Sequence, residues 1–105
     1  EAAKELRVLE GDYRNCYVGD SSHVYNTAFA QYVELGNLLQ ISHAIVHGAM
    51  ARKESRGGHS RRDFPKRDDV NFLKHTLIFK KPDGSYAAEY QDVVITKYPP
   101  KERKY

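Results

Sequence analysis

Two groups of residues in this 105-residue chain have the types and spacing that chemistry uses. His43 and His47 stand four apart, so a helix would place both rings on one face, as a pair of metal ligands requires. The zinc-protease signature needs Glu directly after the first His; Ala44 stands there, and no third ligand is suitably spaced. The pair therefore predicts helix-surface or interdomain contacts, not a metal centre, and His23, His59 and His75 show no ligand spacing either. The second group is denser. From Arg52 to Asp69 there are seven basic residues (Arg52, Lys53, Arg56, Arg61, Arg62, Lys66, Arg67) and four acidic ones (Glu54, Asp63, Asp68, Asp69). A nucleic-acid patch would be more one-signed and would interleave stacking aromatics, of which only Phe64 is available. Mixed signs suit an ion-pair network in which arginine forks meet carboxylates and carbonyls. The plain alternative is a solvated charged loop worth little energy.

The usual self-contained catalytic arrangements are missing. There is no glycine-rich dinucleotide fingerprint, no P-loop and no Gly-x-Ser-x-Gly elbow. Gly57-Gly58 follows a helical pattern, the wrong context for cradling a phosphate at a helix start. Cys16 has no arranged histidine and no second cysteine, which excludes an intramolecular disulfide, fits a reducing compartment and leaves Cys16 as a small half-buried residue after a helix. No run of 18 apolar residues exists. A chain of this size is one small domain with a modest core. Its net charge of +3 alone does not argue for nucleic acid. It opens on Glu1 inside a helical pattern, the expectation for a cut or processed chain.

The elements that must position the charged segment follow from periodicity. Ala3, Leu6, Leu9 and Tyr13 recur at three- and four-residue spacing and predict a helix over residues 1–14. Gly19-Asp20-Ser21-Ser22 supplies a turn and several N-caps for a long helix from about His23 to Glu54. Val24, Ala28, Tyr32, Leu35, Leu39, Ile45 and Ala49 form its apolar stripe, and Phe29, Val33, Ile41 and Met50 widen it enough to face two neighbours, as in the centre of a bundle. Gly36 and Gly48 each cost about 1 kcal/mol against Ala in a helix, which close packing or a kink would explain. Arg52 and Lys53 would complement the helix dipole, and Gly57-Gly58 would end the helix. Residues 58–69 read as a loop, and Val70 to Lys74 as one helical turn capped by Asp68 or Asp69. Thr76–Lys80 and Tyr86–Glu89-Tyr90 flank Pro82-Asp83-Gly84, a β-hairpin signal, with Val93–Thr96 as a third extended piece and a charged tail after Pro99-Pro100. The expected fold is mainly α, with a helical portion over 1–57 and a charged loop, hairpin and tail over 58–105 of the same domain.

Several strings are specific. They are Ala51-Arg-Lys-Glu-Ser-Arg-Gly57, His59, Arg67-Asp-Asp69, Asn71-Phe-Leu-Lys-His-Thr-Leu77, Asp83-Gly84 and the terminal Pro99-Pro100-x-x-Arg103-x-Tyr105. Together with Asn26-Thr27 and Glu34-Leu35-Gly36, they resemble the C-terminal region of succinate dehydrogenase and fumarate reductase flavoprotein subunits, the bacterial fumarate reductase type above all. Gly58 departs from the Ala usual there.

The resemblance implies a spectrin-like three-helix bundle, its first helix open to truncation at Glu1, followed by an irregular tail with a small hairpin. It implies FAD in the full-length protein, bound by residues outside this chain, and succinate/fumarate interconversion with electrons passing to an iron–sulfur subunit and quinone. Upstream FAD and capping domains and the iron–sulfur subunit would be direct partners, and membrane anchor subunits indirect ones, with no nucleic acid. The place would be cytoplasmic, peripheral on the inner face of the cell membrane. No catalytic, cofactor or metal residue is carried onto this chain, and the isolated chain is expected to be inactive. Arg52, Glu54, Arg56, His59, Arg61, Arg62, Asp68 and Asp69 are the expected interdomain or subunit contacts. A reading from another class is a stand-alone interaction module that shares only this domain.

Overall fold

The computed structural model describes residues 1–101; the tail positions Arg103 and Tyr105 lie outside the described residues. Helix α1 spans Ala2–Asn15 and helix α2 spans Thr27–Ala51. Strands β1 (Lys74–Lys80) and β2 (Tyr86–Asp92) form one antiparallel hairpin with Thr76 opposite Tyr90, Ile78 opposite Ala88 and Lys80 opposite Tyr86. The fold is thus mainly helical with a small hairpin; the described residues form two helices, not the three of the expected bundle.

Both ends of α2 differ from the sequence expectation for local reasons. The helix starts at Thr27, not His23, because Asn26 is the working cap: its Oδ1 accepts from the Phe29 amide at 2.8 Å. Asp20 instead folds its carboxylate onto the Ser22 amide and hydroxyl, closing a separate turn. The helix stops at Ala51, not Glu54. Arg52 turns extended and points its guanidinium at strand β1, so it does not serve the helix dipole. Arg61 takes that role from the loop, donating to the carbonyls of Met50 and Arg52 at 2.9 Å each. Gly57-Gly58 lies beyond the helix in a tight reversal: Arg56 and His59 pair backbone to backbone, and Gly57 adopts φ +58°. Asp68 does cap a turn, accepting from the Val70 and Asn71 amides, but it leads straight into β1. Val93–Thr96 forms no strand, and Cys16 is exposed, not half-buried.

α2 is the shared wall. α1 packs on it through Tyr13, whose ring stacks on Tyr32 at 4.6 Å and lies over Gly36. A Cβ at Gly36 would sit 2.5 Å from the Tyr13 hydroxyl oxygen and 2.8 Å from its ring. The hairpin packs on the next face: Ile78 meets Gly48, and Tyr86 stacks on His43 and His47. Leu39 is the only buried apolar residue among the described residues. The radius of gyration is 18.7 Å, against about 13 Å for a compact chain of 100 residues. Leu35, Leu38, Ile41 and Ile45 of α2 remain 45–65% exposed. A chain so extended, with so small a core, presents a helix face suited to burial by another element.

Gly36→Ala should destabilise the fold by about 1 kcal/mol, because overpacking against Tyr13 outweighs the gain in helix propensity. In a Tyr13→Ala background the same substitution should become stabilising. Urea unfolding of the four variants measures the sign reversal, and its absence would show that Gly36 is not there to admit Tyr13.

Candidate functional site: a buried carboxylate knot

The charged segment folds around one group. Glu54 has no solvent exposure at all, alone among the described side chains. It follows α2 by three residues, where the chain has left the helix. Its Oε1 accepts from Arg52 Nη2 and from Arg56 Nε at 3.0 Å. Its Oε2 accepts from Arg56 Nη2 at 3.1 Å and from the Asp68 amide at 2.9 Å. Burial pushes the carboxyl pKa up, but the arginine and amide donors outweigh it and hold the group down at about 2.

Each arginine around this carboxylate ties a different element to it. Arg52 donates through Nη1 to the Lys74 carbonyl and the Thr76 hydroxyl, both at 2.8 Å, and through Nη2 to the Phe72 carbonyl. That fastens α2 to β1. Phe72 lies beneath the same guanidinium and packs edge-on against Tyr90, whose hydroxyl donates to the Ala51 carbonyl at 3.1 Å. Arg56 reaches the Asp68 carbonyl at 3.3 Å and the Asp69 carboxylate. Arg67 grips Asp69 from the other side, with Nε at 2.8 Å, so Arg67 and then Arg56 hold the Asp69 carboxyl down to about 2. Arg61 pairs with Asp63 while its guanidinium covers the Phe64 ring at 4.7 Å. Ser55 closes the knot: its amide donates to the Lys66 carbonyl, its hydroxyl oxygen accepts from the Arg61 amide at 2.9 Å, and the hydroxyl donates to the Phe64 carbonyl at 2.7 Å.

Of the eight expected contact residues, the structure brings Arg52, Glu54, Arg56, Asp68 and Asp69 into one cluster, and Arg61 joins it through the backbone of Arg52. His59 takes part through its backbone only, and its buried Nε2 has no partner. Arg62 is exposed and joins nothing in the cluster. Ser55, Phe72 and Tyr90 also belong to the knot without being expected there, and Arg67, expected in the ion-pair segment but not among the contact residues, joins them. Arg67 could have been found from its fork-matching Asp69 two residues on; Ser55 carries no such signal.

A separate cleft of about 680 Å³ lies between α1, α2 and the hairpin turn, with Arg7, Glu10, His43 and Tyr86 among its walls. His43 Nε2 faces Glu10 Oε2 at 3.7 Å, and His47 Nδ1 lies 2.8 Å from the His43 carbonyl oxygen. Both rings stack on Tyr86, His47 Nδ1 also meets the helix backbone, and the buried His43 Nε2 has no hydrogen-bond partner. In the knot itself every carboxylate is matched by fixed donors. Such a group anchors chain; it is poorly placed to move protons or attack a substrate.

Removing the charge with Glu54→Gln leaves Arg52 and Arg56 facing each other in a dry site and should cost about 3 kcal/mol or more. The folded pKa of Glu54 lies below its ordinary 4.5, so the pairing stabilises fully above pH 4.5 and is lost as pH falls towards about 2. Acid titration followed by circular dichroism should show that window in the wild type and a flatter profile in Glu54→Gln.

Comparison with known proteins places this geometry. Residues 1–105 match the family model described as fumarate reductase flavoprotein C-term. The fumarate reductase flavoprotein subunit of Escherichia coli K12 is 47% identical over 103 residues, covering 96% of this chain and 17% of the relative. The 8-methylmenaquinol:fumarate reductase flavoprotein subunit of Wolinella succinogenes is 47% identical over 97 residues, covering 92% of this chain and 16% of the relative. A solved structure of a mutated E. coli quinol fumarate reductase flavoprotein superposes with a TM-score of 0.86 at 43% identity, over 95% of this chain and 17% of that one. The chain therefore spans about one sixth of these relatives' length, and it belongs to the fumarate reductase and succinate dehydrogenase flavoprotein family, whose C-terminal model it matches from end to end.

Proposed function

We propose that this chain is the C-terminal buttress of the FAD-carrying subunit of an oxidoreductase that interconverts succinate and fumarate. Electrons would pass to an iron–sulfur subunit and on to quinone, and membrane anchor subunits would hold the assembly at the cytoplasmic face of the membrane. No helix of the described residues is long and apolar enough to cross a membrane. The observation that carries the reading is Glu54: the one completely buried side chain among the described residues is a carboxylate clamped by two arginines, in a chain that matches these flavoproteins throughout. The exposed stripe Leu35, Leu38, Ile41 and Ile45 is the surface on which a third helix, supplied by the rest of the polypeptide, would complete the bundle.

The residues present do not fit a flavin. No strand runs through a glycine-rich turn into a helix, the N-terminal amide of Phe29 in α2 is taken by Asn26, and Arg52, Arg56 and Arg67 are committed to carboxylates. FAD would be held by residues outside this chain, and no chemical step runs through residues 1–101. What this part contributes is position: it fixes a loop, a helix end and a hairpin relative to one another, so that neighbouring domains meet a rigid surface.

The test is Arg56→Ala in the full-length flavoprotein. Losing one partner of a buried pair costs about 3–5 kcal/mol, so flavin content and subunit assembly should fall while KM for the dicarboxylate in the surviving enzyme stays near that of the wild type. Normal assembly with a selectively raised KM would overturn the buttress.

A further inference from the structure

The cleft between α1, α2 and the hairpin turn keeps cations that no carboxylate among the described residues neutralises. Arg7, Glu10 and Arg14 stand at i, i+3 and i+7, so they share one face of α1, and all three line the cleft. Lys80, the last residue of β1, lines it from the hairpin, and α2 supplies the floor with Gln40 and His43. Both carboxylates of the lining are engaged. Glu10 Oε1 accepts from Arg14 Nη2 at 3.0 Å, and Asp83 accepts from the Ser85 amide at 2.8 Å and the Ser85 hydroxyl at 2.7 Å. Arg7 meets no carboxylate among the described residues, and Lys80 donates there only to the neutral Gln40 side chain, at 3.1 Å. One polar atom of the floor is short of a partner as well. His43 is nine-tenths buried, and its Nε2 makes no hydrogen bond, since Glu10 Oε2 at 3.7 Å is beyond bonding reach. α1 and the two strands do not touch each other, so an occupant of the cleft is what could join its two walls.

We propose that this cleft binds a short linear dicarboxylate, with one end on Arg7 and Arg14 and the other on Lys80. Charge complementarity selects an anion, because the acids of the lining are spent and Arg7 and Lys80 are not. The placement of those two cations on separate elements selects an anion with two ends. A single-centre anion such as phosphate would meet one wall and leave the other unpaired. Guanidinium forks and an ammonium are strong charge-assisted donors to carboxylates. The volume of about 680 Å³ falls within the roughly 300–1,000 Å³ of small-molecule pockets. Binding also completes His43. A ligand carboxylate on Arg14 competes with Glu10 for that guanidinium. The released Glu10 side chain, 42% exposed, then has to move only about 1 Å to accept from His43 Nε2–H. The site needs no flavin and no partner subunit, so it stands or falls apart from the buttress reading.

The experiment is isothermal titration of the full-length flavoprotein with glutarate at constant ionic strength, with melting temperature measured on the same samples. Arg7 and Lys80 are exposed, so Arg7→Gln and Lys80→Gln should leave melting unchanged. Each should weaken one glutarate site by about tenfold or more, and the double variant should lose that site. Glutarate bound elsewhere on the protein contributes equally to wild type and variants and drops out of the difference. Arg62→Gln, exposed and outside the cleft, should bind glutarate as the wild type does. Unchanged binding in the Arg7 and Lys80 variants overturns the site, and this is the result expected if upstream chain fills the cleft. An equal loss in Arg62→Gln overturns it too, since the effect is then one of overall charge. So does inorganic phosphate that displaces glutarate from this site at matching concentration, because a single-centre anion then suffices. Absence of flavin from the wild-type full-length protein would sink the functional reading instead and leave the titration result in place.

Discussion

Everything in the second half of this chain is arranged around taking one carboxylate out of water. An ionised Glu in a dry site is tolerable only when its lone pairs are met by donors in good geometry. Glu54 receives two arginines and one backbone amide, and that amide belongs to residue 68, fourteen positions away. The same carboxylate therefore dictates where the loop returns. Once Asp68 is placed, its own side chain caps the turn over Val70 and Asn71, and the turn delivers the chain into β1. Arg52, held on one side by Glu54, meets the Lys74 and Thr76 oxygens on the other. The route from helix to hairpin is thus set by hydrogen bonds more than by apolar burial, which explains how a segment with almost no apolar core holds one shape.

The division of labour along α2 follows from its glycines and its apolar excess. Gly36 admits a tyrosine ring from α1, and Gly48 meets Ile78 of the hairpin, so each glycine marks a face where another element comes close. Leu35, Leu38, Ile41 and Ile45 of the same helix stay largely exposed. A helix apolar on three sides is a buried helix by composition. Here two of the sides find their partners within the chain. The mismatch between that helix and the single buried Leu39 is the physical mark of a piece whose stability is shared with surrounding structure.

How much of this was legible in the residues differs by element. The hairpin was read correctly because Pro82-Asp83-Gly84 has a mechanism: Gly84 sits at φ +82°, and Asp83 caps the Ser85 amide. The long helix was legible from periodicity, but its ends were not. Asp20, Ser22 and Asn26 all have capping chemistry, and the contest was decided by Asn26 reaching back to the Asp20 and Ser22 carbonyls through Nδ2, a contact across six and four residues. Arg52 and Lys53 looked alike at a helix C-terminus, yet Arg52 was drawn to a strand 22 positions on. The charged loop was legible as an ion-pair network by its mixed signs. Which carboxylate sits inside it was not, because Glu54, Asp63, Asp68 and Asp69 carry the same charge and differ only in the burial that tertiary structure imposes.

The choice of cation inside the knot carries the last step. All four residues that pair with carboxylates are arginines, and both lysines of the segment, Lys53 and Lys66, stay in solvent. A guanidinium offers five donors in a rigid plane and is weakly hydrated, so one side chain can satisfy a carboxylate, a carbonyl and a hydroxyl together while losing little solvation. Arg52 does this with Glu54, the Phe72 and Lys74 carbonyls and Thr76. An ammonium at the same place has three donors and a tightly held hydration shell, and it could not keep the strand and the carboxylate in register. Arg62 apart, the segment's arginines turn inward and its lysines outward. This sorting lets charge at the surface vary without disturbing the carboxylate that holds the interior.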